Sequence, residues 1–252
     1  MRAEHLPASC RAGLLLLLAG FLHCAPAIAD DAFNLTPYLW AASLDGTLGA
    51  GATDPGGGAT ADFGKIWDNM SLAGAMLNAS WRRDRWTVFG DWTYARVESD
   101  SPTGASRLYS HAEAEVRGNV MQVFAGWDSL PTGTGHLDLF AGLRYYDIDV
   151  DLELQGATLA DRQAGGSAQW FDAVAGLRYL QRFGGRWQVL AQADVGAGGS
   201  EPSWEAVASL GYTFDWGTLV GGWRHLQSDY RDESLQFDAQ LTGPFLGASF
   251  AF

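Results

Sequence analysis

The feature that most constrains this chain is a two-residue period, which recurs in short segments from residue 33 to the C-terminus. From Leu246 onward one parity reads Leu246, Ala248, Phe250 and Phe252, and the other Phe245, Gly247, Ser249 and Ala251. Trp86, Val88, Gly90, Trp92 and Tyr94 likewise alternate with Thr87, Phe89, Asp91 and Thr93. Successive side chains of a strand point to opposite faces, so each segment is a strand with one face in an apolar medium. No segment after residue 29 approaches the roughly 20 apolar residues of a membrane helix. The chain is therefore all-β.

Residues 1–29 read as a cleaved export signal. Arg2 and Arg11 give a positive start, Gly13–Leu22 a short apolar run, and Ala27-Ile28-Ala29 a small-x-small cleavage site before Asp30. Cys24 raises a lipoprotein signal as the alternative, but His23 is not the small residue expected before a lipidated cysteine. Both cysteines, Cys10 and Cys24, lie in the removed segment, so residues 30–252 contain neither disulfide nor thiol chemistry. Losing Arg2, Arg11 and Glu4 takes the net charge from −13 to −14. Such an acidic chain lacks the basic footprint of a nucleic-acid binder. Lys65 is the only lysine, so nearly every cation is an arginine, the side chain best suited to confined carboxylate pairs.

Residues 30–252 form one domain of about ten strands, with eight or twelve as alternatives: roughly 33–44, 71–82, 86–97, 111–127, 136–152, 167–182, 187–198, 203–214, 218–228 and 235–252. Both parities of the first carry apolar residues, so its facing is unassigned. A Gly-rich loop is expected over 45–61, then a short amphipathic helix over 62–70, with Phe63, Ile66, Trp67 and Met70 on one face and Asp62 as N-cap. Odd-numbered strands tend to precede longer links and even-numbered strands tighter turns. That asymmetry belongs to an up-and-down barrel with short periplasmic turns and longer outer loops.

The apolar parities are read as outward and the polar ones as inward. In the fourth strand this puts Ala112, Ala114, Val116, Gly118, Val120 and Phe124 outside, with Glu113, Glu115, Arg117 and Asn119 inside. In the seventh, Trp187, Val189, Ala191, Ala193 and Val195 face out. A secreted β-sandwich is the alternative, with the faces reversed. The tryptophans favour a barrel: Trp81, Trp86, Trp127, Trp187 and Trp216 all sit beside the expected periplasmic turns, as a membrane-interface girdle requires. An internal echo, Leu137–Tyr145 against Phe171–Tyr179, repeats Ala-Gly-Leu-Arg-Tyr and sets Asp138 and Arg144 against Asp172 and Arg178. In adjacent antiparallel strands, each Asp approaches the other strand's Arg, and the Gly leaves room for large neighbours.

Ala27-Ile28-Ala29, the twin Ala-Gly-Leu-Arg-Tyr strands, Gly221-Gly222-Trp223-Arg224-His225 and the terminal strand ending in Phe252 together resemble the small porin-like outer-membrane β-barrels of Gram-negative bacteria. The resemblance implies a membrane-spanning antiparallel barrel in the cell outer membrane. It further implies Phe252 as the signal read by the barrel-assembly machinery, with periplasmic chaperones during biogenesis and lipopolysaccharide around the finished barrel. Its motifs specify place and fold rather than activity.

Twelve charged residues are assigned to the lumen: Asp91, Glu113, Glu115, Arg117, Asp138, Arg144, Asp172, Arg178, Asp194, Glu205, Arg224 and Asp238. They either line a narrow conduit for small polar solutes or ions, or pair into a packed plug; a small barrel holds little beyond its own side chains. Asp147, Asp149, Asp151 and Glu153 share the outward parity of Leu137–Tyr145, so the fifth strand leaves the bilayer near Tyr145. That row offers a Ca²⁺ or lipopolysaccharide contact, or a merely solvated strand. Ser110, His111, Glu113 and Glu115 near the outer rim carry hydrolase residue types, but adjacency on one strand is not a triad. His136 belongs to the periplasmic rim, His225 to the lipid interface, and loop 229–234 is an exposed adhesion candidate. No metal or cofactor motif is present. The expectation is a non-enzymatic, structural or porin-like barrel, with surface-loop binding as the alternative.

Overall fold

The computed structural model describes residues 31–50, 59–62, 70–102, 109–156, 162–231 and 235–252. Among them twelve strands form one antiparallel sheet: β1 (Asp31–Trp40), β2 (Ser43–Ala50), β3 (Ala59–Asp62), β4 (Met70–Arg83), β5 (Trp86–Pro102), β6 (Tyr109–Asp128), β7 (Gly135–Gly156), β8 (Arg162–Phe183), β9 (Trp187–Gly198), β10 (Ser203–Phe214), β11 (Gly217–Arg231) and β12 (Leu235–Ala251). From β4 onward each strand pairs with the next, and β1 pairs with both β4 and β12, which closes the sheet. β1 and β2 make one stave along β12, so the barrel has ten staves. The stave breaks at Ala41-Ala42, where Ala41 N–H donates to the Pro244 carbonyl at 2.9 Å. Gly243 permits this approach, since a Cβ there would collide with the Ala41 carbonyl.

The expected loop over 45–61 is in part a hairpin, β2 paired with β3. Of the expected helix over 62–70, Asp62 ends β3, Met70 begins β4, and 63–69 lie outside the described residues. The export signal also lies outside them. Tight turns join the staves at one rim. Asp84 (φ 53°) takes the left-handed conformation between β4 and β5, and Gly184 and Gly185 (φ 58° and 75°) do so between β8 and β9. The start of β1 and the C-terminal residue meet at the same rim: Phe252 N–H donates to the Phe33 carbonyl at 2.9 Å, and the two rings lie 6.1 Å apart.

The wall faces two environments in succession. In the half nearer the turns, exposed apolar side chains cover the outside: Leu139 and Leu143 on β7, Phe171 and Leu177 on β8, Val195 on β9, Leu210 on β10 and Leu246 on β12. Beyond a row that includes Tyr145 and Phe171, the same outward parity carries Asp147, Asp149 and Asp151 on β7, and Ser167 and Gln169 on β8. Eight steps from Leu137 to Tyr145, at about 3.3 Å each and tilted about 40°, give a belt about 20 Å tall, close to the apolar band of an outer-membrane barrel.

Above the belt the inside becomes apolar. Val116 and Val120 of β6, Tyr146, Ile148 and Val150 of β7, and Ala168 and Trp170 of β8 are buried against Leu226 of β11, Ala239 of β12 and Trp40 of β1. The geometry follows from unequal strand lengths. β9 and β10 end at Gly198 and Ser203, so β8 has no β9 partner beyond Asp172. The link between them ties the far sides together: Gly199 N–H donates to Phe171 O at 2.9 Å, and Glu201 N–H to Asp229 O at 2.8 Å. The upper parts of β2 and β12 accordingly lean against β7 and β8. The result is a flattened two-layer crown, soluble-like in pattern, standing on a membrane barrel.

This overturns the facing read for β6. Val116, Val120 and Phe124 are buried inside, whereas Arg117, Met121, Val123 and Trp127 are exposed outside. Above the belt the outer medium is water, so charge faces out and Val faces in; below it, lipid reverses the preference.

Candidate functional site: the barrel lumen

Three groups of charge occupy the lumen. Near the turn rim, Asp138 receives Arg82 Nη2 at 2.8 and 2.7 Å and the Thr87 hydroxyl at 3.3 Å, with Asp128 3.7 Å from the same guanidinium. His136 stands 3.8 Å from Asp138 at that rim. At mid-depth Arg144 donates to Asp194 (2.7 Å), Glu205 (3.0 Å) and the Gln122 carbonyl oxygen (2.8 Å), and the Gln122 amide donates to Glu205 at 2.9 Å. Arg224 joins the other side of Glu205 at 3.0 Å, reaches Asp91 at 2.9 Å and bonds Tyr38, whose hydroxyl donates to Asp91 at 2.9 Å. Its guanidinium carbon lies 4.7 Å from the Trp40 ring centre. This network links β1, β5, β6, β7, β9, β10 and β11 through the barrel interior. Asp172 is held separately by Ser200 N–H (3.0 Å) and the Ser200 and Ser203 hydroxyls (2.6 and 2.9 Å).

Of the twelve residues assigned to the lumen, the structure brings eight inside: Asp91, Asp138, Arg144, Asp172, Arg178, Asp194, Glu205 and Arg224. Three belong to the outer surface. Arg117 is exposed and bonds Asp151 at 2.8 Å, while Glu115 binds Arg96 at 3.0 Å and Arg117 at 3.1 Å. Asp238 shares the parity of exposed Leu246 and lies opposite Asp229. Each stands above the belt, where an outward charge meets water. Glu113 pairs in register with Glu153, and its side chain lies outside the described ones. The internal echo sets Asp138 opposite Arg178 and Arg144 opposite Asp172, as expected. Their bonds go elsewhere, because Arg82, Asp194 and the serines reach the same groups across the lumen. Gly142 and Gly176 of the echo admit Phe124 and Phe140, whose rings a Cβ would strike.

All five expected girdle tryptophans, Trp81, Trp86, Trp127, Trp187 and Trp216, are exposed next to the turn rim, and Trp86 and Trp127 pack edge-on at 4.9 Å. A second aromatic row escaped the sequence reading. Trp92, Trp204 and Trp223 donate their indole N–H to Asn119 (2.8 Å), Gln227 (2.9 Å) and Thr242 (3.1 Å), so each has an apolar body and a wet edge. Their outward parity beside polar residues was the available signal.

Between the charge network and the outside lies the apolar layer. Trp170 is stacked between Tyr146 and Tyr230, with ring centres 4.7 and 4.2 Å apart, and spans the lumen from β7 to β11. Tyr230 therefore points inward, unlike the exposed loop residue expected; Arg231 stays outside on Asp229 at 2.9 Å, and 232–234 lie outside the described residues. His225 packs tilted against Trp204, ring centres 4.3 Å apart, on the outer face. Ser110 and His111 lie in β6, their side chains outside the described ones. Among the described residues no three His, Cys, Asp or Glu side chains gather as metal ligands.

No protein-family model and no curated protein matches the sequence. Solved structures similar to the chain include the translocator domain of autotransporter NalP from Neisseria meningitidis (18% identity, 95% of this chain and 93% of that one, TM-score 0.44). The transport unit of autotransporter AIDA-I from Escherichia coli is another (9% identity, 94% and 96%, TM-score 0.44), as is outer membrane protein AlkL in lipid bilayers (13% identity, 91% and 96%, TM-score 0.36). At these scores the likeness carries no argument about activity. The closed sheet, the exposed apolar belt and the aromatic rows at both of its edges carry the conclusion themselves. The chain is a closed, membrane-spanning antiparallel β-barrel.

Proposed function

We propose that this protein is a structural outer-membrane barrel whose lumen is closed to through-flow, rather than an open porin. The observation that supports this most directly is the stack of Tyr146, Trp170 and Tyr230 above the mid-depth ion network. A polar solute would have to shed its water to cross the apolar layer, and an ion would meet a large desolvation cost there. Small polar solutes enter the lower lumen and stop. Liposomes carrying the refolded protein should not swell in isosmotic arabinose; swelling at a rate proportional to protein content would overturn the reading.

The working surface on the outside is then the crown. Its outward row of Glu115, Arg117, Asp147, Asp149 and Asp151 stands just above the upper aromatic row, at the level of lipopolysaccharide headgroups, which we take as its surroundings. In the same reading the barrel is non-enzymatic. Hydrolysis of a lipid or peptide panel that disappears in His111→Ala would contradict that. Phe252 serves the assembly machinery, and its place at the closing seam, bonded to Phe33, gives it a second role in sealing the sheet.

A further inference from the structure

Below the charge network the lumen is not filled. A cavity of about 420 Å³ runs from Asp91, Glu205 and Arg224 down to Gly185 in a rim turn and Ala251 at the end of β12. Its lower end reaches the turn rim, which we take as periplasmic, and its closed outer end rests on the reading above. Its charge is unlike that of the chain. The protein as a whole carries −13, yet the charged residues lining the cavity are Arg178, Arg182 and Arg224 against Asp91 and Glu205. Both carboxylates are already engaged, Asp91 by Arg224 and Tyr38, Glu205 by Arg144, Arg224 and Gln122.

Arg178 and Arg182 are the lining cations left over, and Arg182 is exposed at the turn rim, so Arg178 is the one inside. Asp138, its register partner on β7, is taken by Arg82 at 2.7 Å. Among the described residues Arg178 forms no ion pair; its guanidinium carbon lies 4.4 Å from the centre of the Phe89 ring. A planar donor fork held over a ring, on the lumen side of the barrel wall, is set to take an anion on its free edge. Around it the lining divides by chemistry: Gln188 and Gln192 offer amides, while Leu180, Leu190, Phe124 and Val207 form an apolar wall. The volume falls within the range of small-molecule sites, which pair an apolar body with a few placed polar groups.

We propose that this vestibule is a binding site for a small organic monoanion with an apolar body, entering from the periplasm, with Arg178 as the anion-binding group. Calorimetric titration of the folded, detergent-solubilised full chain with benzoate, benzyl alcohol, benzylamine and inorganic phosphate tests it. Benzoate should bind saturably, and the alcohol and amine should bind at least about tenfold more weakly, as expected when a charge-assisted pair is missing. Arg178→Gln should weaken benzoate by a similar factor, and Arg178→Lys should keep part of the affinity. Arg186→Gln, on the exposed turn, should change nothing. Leu190→Trp, which fills the cavity without touching the cation, should abolish binding even if Arg178→Gln fails to fold. No benzoate binding, equal binding of the alcohol, or an unchanged Arg178→Gln would overturn the proposal; phosphate binding as tightly as benzoate would overturn the apolar half of it. Titration reads the site independently of whether the outer end conducts, so either reading can fail alone.

Discussion

At the scale of single residues, the same charge has opposite worth on the two sides of the wall. Arg144 is fully buried, and three carboxylate or amide oxygens depend on it. Removing it leaves Asp194 buried without its cation and takes from Glu205 one of its two arginines, which costs about 3–5 kcal/mol. Arg144→Ala should therefore lower the urea midpoint of the refolded barrel by a corresponding amount, or prevent folding. Glu115 has a side chain 29% exposed, in a water-facing network with Arg96 and Arg117. Its Ala variant should shift stability by no more than about 1 kcal/mol. Equal effects of the two substitutions in one urea titration would contradict the assignment of faces. The echo's Asp and Arg could be paired in register from sequence alone, because alternation and antiparallel pairing suffice for that. Their real partners could not, since Arg82, Asp194 and Ser200 come from staves that sequence spacing does not bring together.

At the scale of elements, β7 was legible and β6 was not, for one physical reason. β7 announces where it leaves the bilayer by exchanging Leu139 and Leu143 for Asp147 and Asp149 on one parity. In β6, Val116, Val120 and Phe124 make one parity mainly apolar although it also carries Gln122 and Asp128, and alternation says which face is apolar without saying which side holds water. Small Ala and Gly residues on that parity blur the contrast further. A single cysteine placed in the otherwise cysteine-free segment 30–252 separates the possibilities. On intact cells Arg117→Cys should react with a membrane-impermeant maleimide, and Val123→Cys should stay unlabelled in lipid. Labelling at 123 but not 117 would restore the discarded facing. β12 permits a second test: deleting Phe252 removes the 2.9 Å seam bond to Phe33 and its ring contact, and should reduce heat-modifiable, folded barrel in membranes. Normal assembly without it would remove both of its proposed roles.

At the scale of the molecule, ten staves, closure of the first onto the last, and the lower girdle were readable because short turns and tryptophans recur at one end of the strands. The crown was not readable. It arises because β9 and β10 are short, letting the long ends of β11, β12 and β2 fold onto β7 and β8, and strand length is the quantity alternation defines least well. In the proposed function, that closure is what separates a plugged barrel from a porin of similar composition. The most direct measurement is single-channel recording in planar bilayers, comparing wild type with the Trp40→Ala/Trp170→Ala double variant. Wild type should insert and remain silent, while the double variant, which deletes both indoles from the apolar layer, should show discrete conductance steps. Steps from the wild-type protein at the same frequency and size would contradict the closed lumen.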